Sequence, residues 1–515
     1  MTQAPALTAT ADLAATANLT ATANLAARLA ELAERHDRRD RPAFHQGHRA
    51  WTHGEVHDLG ARAATVLAAQ GVAPGDRVVL ALPDGIAWVV AFLALARLGA
   101  VAVLVNPELP AADHAFMADD TEAVLCLTGP GLEDRFAGRA RLGADQLLAL
   151  APAAEPAAAH PVDTDSPLYV QYTSGTTGRP KGVVHTHAHP AAYHDLIGRR
   201  LLGITPDDVT LSVSKLYFAY GFGNAFVFPL FSGSSAVLVD RRPTPAAVDE
   251  LVARHRVTLL YSVPSAYAAL VADRGTGQHR TCFASVRAAV SAGEGLPDGL
   301  GDRVTELLGA PVLEQIGSTE AGHAFCANSL GHNHPGTLGR PVPGFEVELR
   351  DHDGRPVPDG HEGELWVRGP TVTPGYLNRP EETARTLVDG WLATHDRAVR
   401  EPDGAYRHLG RTDDMEMVGG ITVSPLEVEA VLRNHPAVRE VAVAAVPDGT
   451  GAGRLRAFVV PAVTPAPQGL QEELLRLARE RLAAFKVPRS VSLLPSLPRT
   501  PTGKLRRHLV RRGAW

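Results

Sequence analysis

Apolar positions along the chain switch between two periods. Helical spacing marks residues 25–36, 56–69 and 86–98, while short apolar runs at 78–82 and 102–105 read as strands between them. Helices alternating with buried-type strands predict an α/β fold with mostly parallel strands. The rhythm continues to about Gly309, with strand candidates at 236–239, 258–262 and 288–291. From Val342 to Gly369 it gives way to short strands and turns (345–349, 364–367), which predict a small β subdomain. After the turn-prone Gly410-Arg411-Thr412-Asp413-Asp414 the order becomes helix 425–434, strands 438–446 and 455–460, helix 470–482. The pattern therefore predicts a large N-terminal domain of α/β sheets plus a small β subdomain over 1–412. A small α+β C-terminal domain takes 413–515, an ordinary size for one core. Ala/Thr/Asn-rich near-repeats over 8–27 read as an extension running into the first helix, and the Pro/Ala patch 151–161 as a surface linker.

Composition narrows this picture little. At 515 residues, 45% hydrophobic and 21% charged, the chain reads as globular, with more than one domain. A net charge of −6 gives no reason to expect nucleic acid or an anionic membrane as partner. No apolar run approaches the ~20 residues of a membrane span. Cys126, Cys282 and Cys326 lie far apart without CxxC spacing, as in a reduced, cytoplasmic protein. No basic region followed by an apolar core opens the sequence, so no signal peptide is expected.

The stretch with the most chemistry is Tyr172-Thr173-Ser174-Gly175-Thr176-Thr177-Gly178-Arg179-Pro180-Lys181-Gly182, flanked by strand-like runs on both sides. Three glycines let backbone N–H groups converge on one anion; four Ser/Thr hydroxyls add donors, and Lys181 adds a mobile charge. A polyphosphate needs this combination. Walker spacing is absent, and strand–loop–strand replaces strand–loop–helix. His185, His187 and His189 alternate as on a strand but have no Cys or carboxylate nearby in sequence to complete a zinc tetrahedron.

The stretch resembles the phosphate loop of the acyl-adenylate-forming enzymes, a family of acyl-CoA ligases, luciferases and peptide-synthetase adenylation domains. Four further motifs follow in family order, from about Pro42 to Leu505. The resemblance implies that Thr173, Ser174, Gly175, Thr176, Thr177, Gly178 and Lys181 hold ATP phosphates, with Thr176 catalytic. Gly293 and Glu294, in Ser291-Ala292-Gly293-Glu294, would bind adenine. In Gly317-Ser318-Thr319-Glu320, Thr319 would meet the α-phosphate and Glu320 would hold Mg²⁺. Asp396 would bind the ribose hydroxyls and Arg411 would serve ribose or phosphate, Asp413 would be the hinge, and Lys504 in Pro498-Arg499-Thr500-Pro501-Thr502-Gly503-Lys504 the catalytic lysine. The C-terminal domain would be mobile, its closure bringing Lys504 to the site. Residues 218–224 and 316–325 resemble the benzoate-CoA ligase branch, which implies an aryl pocket from Ala219, Tyr220, Gly317, His323 and Ala324.

Three positions depart from the family pattern. His395 replaces the glycine of Thr-Gly-Asp, Met417 stands where a lysine is usual, and Ala324 is smaller than its counterpart. The expected activity is activation of an aromatic carboxylic acid by Mg·ATP to acyl-AMP, with pyrophosphate release, then transfer to CoA. Transfer to an amine is the alternative that Met417 supports; a non-catalytic nucleotide-binding protein is the remaining one. A homodimer is left open.

Overall fold

A computed structural model describes residues 22–173, 180–272, 280–297, 299–412, 416–418, 421–447, 453–482, 484–499 and 505–512. Ser174, Gly175, Thr176, Thr177, Gly178, Asp413 and Lys504 lie outside these residues. Among the described residues no helix is long and apolar enough to cross a membrane.

Two large sheets form the body. The hairpin β1 (Pro42–Gln46) and β2 (Arg49–Thr52) belongs to the second of them. The first sheet has six strands: β3 (Arg77–Ala81), β4 (Val101–Leu104), β5 (Leu125–Thr128), β6 (Arg141–Gly143), β7 (Pro167–Thr173) and β8 (Lys181–Thr186), ordered β6-β5-β3-β4-β7-β8. All of its pairs are parallel except β7–β8. The second sheet adds β9 (Val209–Ser212), β10 (Ser235–Val237), β11 (Leu259–Ser262), β12 (Ala288–Ser291), β13 (Val312–Gly317), β14 (Ala324–Ala327) and β15 (Arg340–Pro341) to the hairpin. Its order is β15-β14-β13-β12-β11-β9-β10-β1-β2, parallel from β13 to β1.

The predicted elements recur within a few residues. The second helix starts earlier than its apolar pattern, at His53, because Thr52 caps it: the hydroxyl accepts from Glu55 N–H while the Glu55 carboxylate accepts from Thr52 N–H. Helix Ile86–Leu98 is apolar on nearly every side, as befits an element buried throughout. Its Trp88 and Phe92 stack at 5.4 Å, and Phe92 packs against Phe222 at 5.1 Å. Tyr169 of β7 lies 4.7 Å from the Phe222 ring. This aromatic cluster joins the two sheets and fixes the short helix Ala219–Phe222. Phe222 is thus a core residue, while Phe218 is only half-buried.

The expected β subdomain is larger than its sequence signal. A five-stranded sheet joins β16 (Glu346–Arg350), β17 (Glu362–Arg368), β18 (Leu387–Val388), β19 (Trp391–Arg400) and β20 (Tyr406–Arg411). Beyond it lie the hairpin β21 (Glu416–Val418)–β22 (Ile421–Val423) and a three-stranded sheet β23 (Val438–Pro447), β24 (Gly453–Pro461) and β25 (Ser490–Leu493). Helices Pro425–Arg433 and Leu470–Arg481 pack on that sheet through Val428, Leu432, Leu470 and Leu474. The last arginines are not a free basic tail. Arg507 forks onto buried Glu429 at 2.7 and 3.0 Å, and Arg511 reaches Glu416 at 2.8 Å.

Candidate functional site

The hairpin β7–β8 brings Thr173 and Lys181 opposite each other at the mouth of the Gly/Ser/Thr loop. Its base is braced: Tyr172 Oη donates to Asp120 at 2.8 Å, and Arg379 binds the other oxygen of that carboxylate at 2.8 Å.

Thr319 and Glu320 lie in the turn that joins β13 to β14, at the C-terminal end of a parallel strand, where ligands of such sheets are met. Ser318 Oγ accepts from Ala321 N–H, and Gly322 N–H donates to the Thr319 carbonyl with φ +77°, the left-handed value that closes the turn. Gly293 and Glu294 follow the end of adjacent β12, so this pair shares the same sheet edge.

The loop 371–377 ties these pieces together. Thr373 N–H donates to the Glu320 carbonyl at 2.7 Å, and Thr373 Oγ1 to the Val184 carbonyl of β8 at 2.7 Å. Tyr376 Oη donates to Glu320 Oε1 at 2.8 Å, and Lys181 Nζ stands 5.3 Å from the centre of the Tyr376 ring. No sequence signal marked Tyr376. The only hint was a Gly-Tyr pair following a strand.

The histidines are structural. Only His185 is on the strand; β8 ends at Thr186, and His189 begins a helix, so the strand-like alternation does not persist. His185 Nε2 faces the Thr319 carbonyl at 2.7 Å and must carry the proton there, leaving Nδ1 to accept from His189 Nδ1 at 2.8 Å. His187 Nδ1 accepts instead from Leu25 N–H. Burial pushes His57, His185, His194 and His323 down to about 3, and His187 and His189 to about 4, from 6.5. Between those values the unfolded chain binds more protons than the folded one. The stability these groups contribute is therefore complete above pH 6.5 and is lost as pH falls toward 3–4. Each carries up to ~1.4 kcal/mol per pH unit in that window. The expected result is a melting temperature level above pH 7 that drops steeply between pH 6.5 and 5; a flat curve over that interval would contradict these assignments.

The five pocket candidates lie close to one another. Gly317 pairs with Ala324 across β13–β14, and the Tyr220 ring lies 5.8 Å from that of His323. Ala219 precedes Tyr220 on the same short helix. Tyr220 Oη donates to the Val290 carbonyl at 3.0 Å; His323 Nε2 donates to Asn224 Oδ1 at 3.0 Å. Both polar groups are thus turned to protein partners, and the His323 ring is buried among those of Tyr193, Tyr220 and Phe228. A Cβ on Gly223 would overlap the His323 imidazole, so glycine is needed there for the close approach.

Asp396 on β19 pairs with Arg411 on β20. His408 Nε2 donates to Asp396 Oδ1 at 3.1 Å, and Arg411 Nη1 stands 3.7 Å from Oδ2. Arg411 is close enough to Tyr376 to oppose the upward shift of its hydroxyl. His395 keeps the left-handed backbone a glycine would supply (φ +60°) and places Nδ1 3.0 Å from Glu364 Oε1. The left-handed residue thus sits within β19, directly before Asp396.

A divalent cation tests well against Glu320. Its Oε1 is held by tyrosine, and Oε2 has no hydrogen-bond partner among the described residues. One carboxylate beside a phosphate loop suits Mg²⁺, which keeps waters and shares phosphate oxygens instead of taking an all-protein cage.

The comparisons agree with this geometry. The AMP-binding enzyme family matches residues 30–377, and the AMP-binding enzyme C-terminal domain matches 427–504. The p-hydroxybenzoic acid–AMP ligase FadD22 of Mycobacterium tuberculosis is 42% identical over 489 residues, 95% of this chain and 68% of that protein. Benzoate–CoA ligase of Thauera aromatica is 38% identical over 86% of each chain. Among solved structures, a benzoate CoA ligase from Burkholderia xenovorans superposes with a TM-score of 0.88 at 37% identity, over 95% of this chain and 99% of that one.

Proposed function

The chain belongs to the AMP-binding enzyme family, and we propose that it activates an aromatic carboxylic acid as its acyl-adenylate and transfers the acyl group to CoA. The observation that carries the reading is the continuity of one sheet edge. Gly317 and Ala324, beside Tyr220 and His323, would hold a ring. A few residues on, Thr319 and Glu320 stand against the phosphate hairpin. An aryl carboxylate seated there would be presented toward the α-phosphate of ATP.

In the first step a carboxylate oxygen bonds to the α-phosphorus, and the bond to the bridging oxygen breaks, releasing pyrophosphate. Lys181 and the loop donors orient the phosphates; Asp396 accepts from the ribose hydroxyls. Glu320 would hold Mg²⁺, which would supply charge neutralisation at the phosphates. Lys504 bridges carboxylate and α-phosphate. In the second step the CoA thiol attacks the acyl carbon and AMP leaves. We place the division between the two domains at 412/413, with Asp413 as hinge, and the enzyme in the cytoplasm.

Supplying benzoates with ATP should release pyrophosphate, and adding CoA should yield one thioester per pyrophosphate. Pyrophosphate with no thioester, alongside amide formation from an amine, would move the acceptor to the amine reading that Met417 favours. Absence of pyrophosphate over an aryl-acid panel would overturn the proposal.

Ala324 is buried opposite Gly317, and in this reading it would line the ring pocket. Ala324→Ile should shift preference toward unsubstituted benzoate by about 10- to 200-fold, the discrimination that a few methylenes provide. The ratio of kcat/KM values for benzoate and a ring-substituted benzoate measures it, and an unchanged ratio would place Ala324 outside the pocket.

A further inference from the structure

The Tyr376 hydroxyl is bonded to one oxygen of Glu320, its ring lies under the Lys181 ammonium, and its loop is pinned to both β8 and the β13–β14 turn. The residue thus meets the two groups assigned to the metal and to the phosphates, the Glu320 carboxylate and the Lys181 ammonium. Its own backbone is fixed as well: Tyr376 N–H donates to Thr383 Oγ1 at 3.0 Å, and the Leu377 N–H to the Gly182 carbonyl at 2.7 Å. We propose that Tyr376 is a positioning residue for Mg·ATP: its hydroxyl holds Glu320 so that the second carboxylate oxygen faces the metal, and its ring places Lys181 beside the phosphates.

The chemistry favours a tyrosine over other donors. A carboxylate with two free oxygens rotates about its last bond; one oxygen held by a rigid phenol leaves the other in one direction. A tyrosine hydroxyl is a neutral donor at neutral pH, so its bond to Oε1 leaves the carboxylate's charge in place. A lysine in its place would neutralise Glu320 and compete with the metal, whereas a neutral donor leaves the charge for the cation. Partners that orient a metal-binding carboxylate typically change metal affinity by about 10- to 100-fold when removed. The ring adds an attraction for the ammonium without becoming an anion itself.

The inference rests on the reading of Glu320 as the metal carboxylate, so the test separates the two. Binding of Mn²⁺·ATP and of metal-free ATP would be measured by titration calorimetry for wild type, Tyr376→Phe, Glu320→Gln and the double variant. Phenylalanine keeps the ring and removes only the hydroxyl. Tyr376→Phe should weaken Mn²⁺·ATP by about 10- to 100-fold and metal-free ATP by less than about twofold. In the Glu320→Gln background the same change should have no further effect, because the hydroxyl acts through that carboxylate. Transfer from a supplied acyl-adenylate to CoA, which uses no metal, should keep its wild-type rate. If Glu320→Gln binds Mn²⁺·ATP as wild type does, the metal assignment fails and this inference with it. If Glu320→Gln weakens binding but Tyr376→Phe does not, or weakens both forms of ATP equally, the positioning role alone is overturned. Should Tyr376→Phe not fold, Thr383→Val, which frees the Tyr376 backbone, must reproduce the metal-selective loss, and a wild-type titration from it would overturn the role.

Discussion

Lys504→Ala is expected to lower acyl-adenylate formation by about 10³-fold or more while leaving ATP binding nearly intact. Attack of a carboxylate on the α-phosphate brings two anions together and builds negative charge at phosphorus. Cations delivered to phosphoryl transition states contribute ~10³–10⁵ in rate. Lys504 itself lies outside the described residues, but the base of its loop is clamped. Arg499 and Leu505 form a β-bridge, Arg506 N–H donates to the Pro498 carbonyl, and Arg507 is anchored on Glu429. In the proposed reading, movement of the whole domain would deliver Lys504 to the site. The residues proposed to bind ATP lie on the other sheets, which is why binding should survive. Pyrophosphate release gives the first rate. Thioester formation from a synthetic acyl-adenylate gives the second, which should fall by less than about tenfold, since positioning and not phosphorus chemistry governs it. Equal losses in the two steps would remove Lys504 from the role assigned to it.

Gly317→Ala should cost about 10²-fold or more in kcat/KM for an aryl acid and also lower the melting temperature. A Cβ at 317 would overlap the His323 carbonyl and come within 2.9 Å of the Ala324 Cα. These are backbone atoms of a strand paired to Gly317 itself, so no side-chain rotation relieves the clash. The strands must part, which displaces His323 and Ala324 together. Misplacement of ~1 Å at a reacting centre is enough for a 10²-fold loss. Overpacking of this kind costs about 1–3 kcal/mol in stability. Gly331→Ala supplies the control, since a Cβ there meets no atom within 4 Å. If Gly317→Ala matched Gly331→Ala in activity, the β13–β14 pairing would not shape the pocket.

How far the site can be read from the chain depends on sequence distance. The phosphate hairpin is legible because loop, strands and lysine lie within a few residues of one another. Asp396 and Arg411 are legible for the same reason: one hairpin sets them side by side. Tyr376 was missed because it meets Glu320 from 56 residues away, through a loop with neither period nor motif. His408 was missed although near Asp396, because a histidine on a strand reads as an ordinary core or surface residue. The extent of the third sheet was obscured because β18 has only two residues and β19 and β20, at ten and six residues, carry charged and polar side chains with no strong apolar alternation. The alternating periods announced parallel strands but could not divide them between two sheets. That division depends on the aromatic cluster of Trp88, Phe92, Tyr169 and Phe222, whose members come from distant parts of the chain.

The hairpin β1–β2 belongs to a sheet whose other strands are made much later. β1 runs parallel to β10 through Phe44 opposite Ala236 and His45 opposite Val237, and His53 Nε2 meets the Ser234 carbonyl, 181 residues along the chain. At ~5–20 residues per second, a ribosome needs roughly 10–40 s to supply that partner. Throughout that interval the six-stranded sheet is being completed while the hairpin offers an open row of amides and carbonyls. The hairpin, synthesised before the six-stranded sheet, is thus seated only after that sheet exists. The newborn chain must keep that edge from other molecules until Ser235–Val237 arrives.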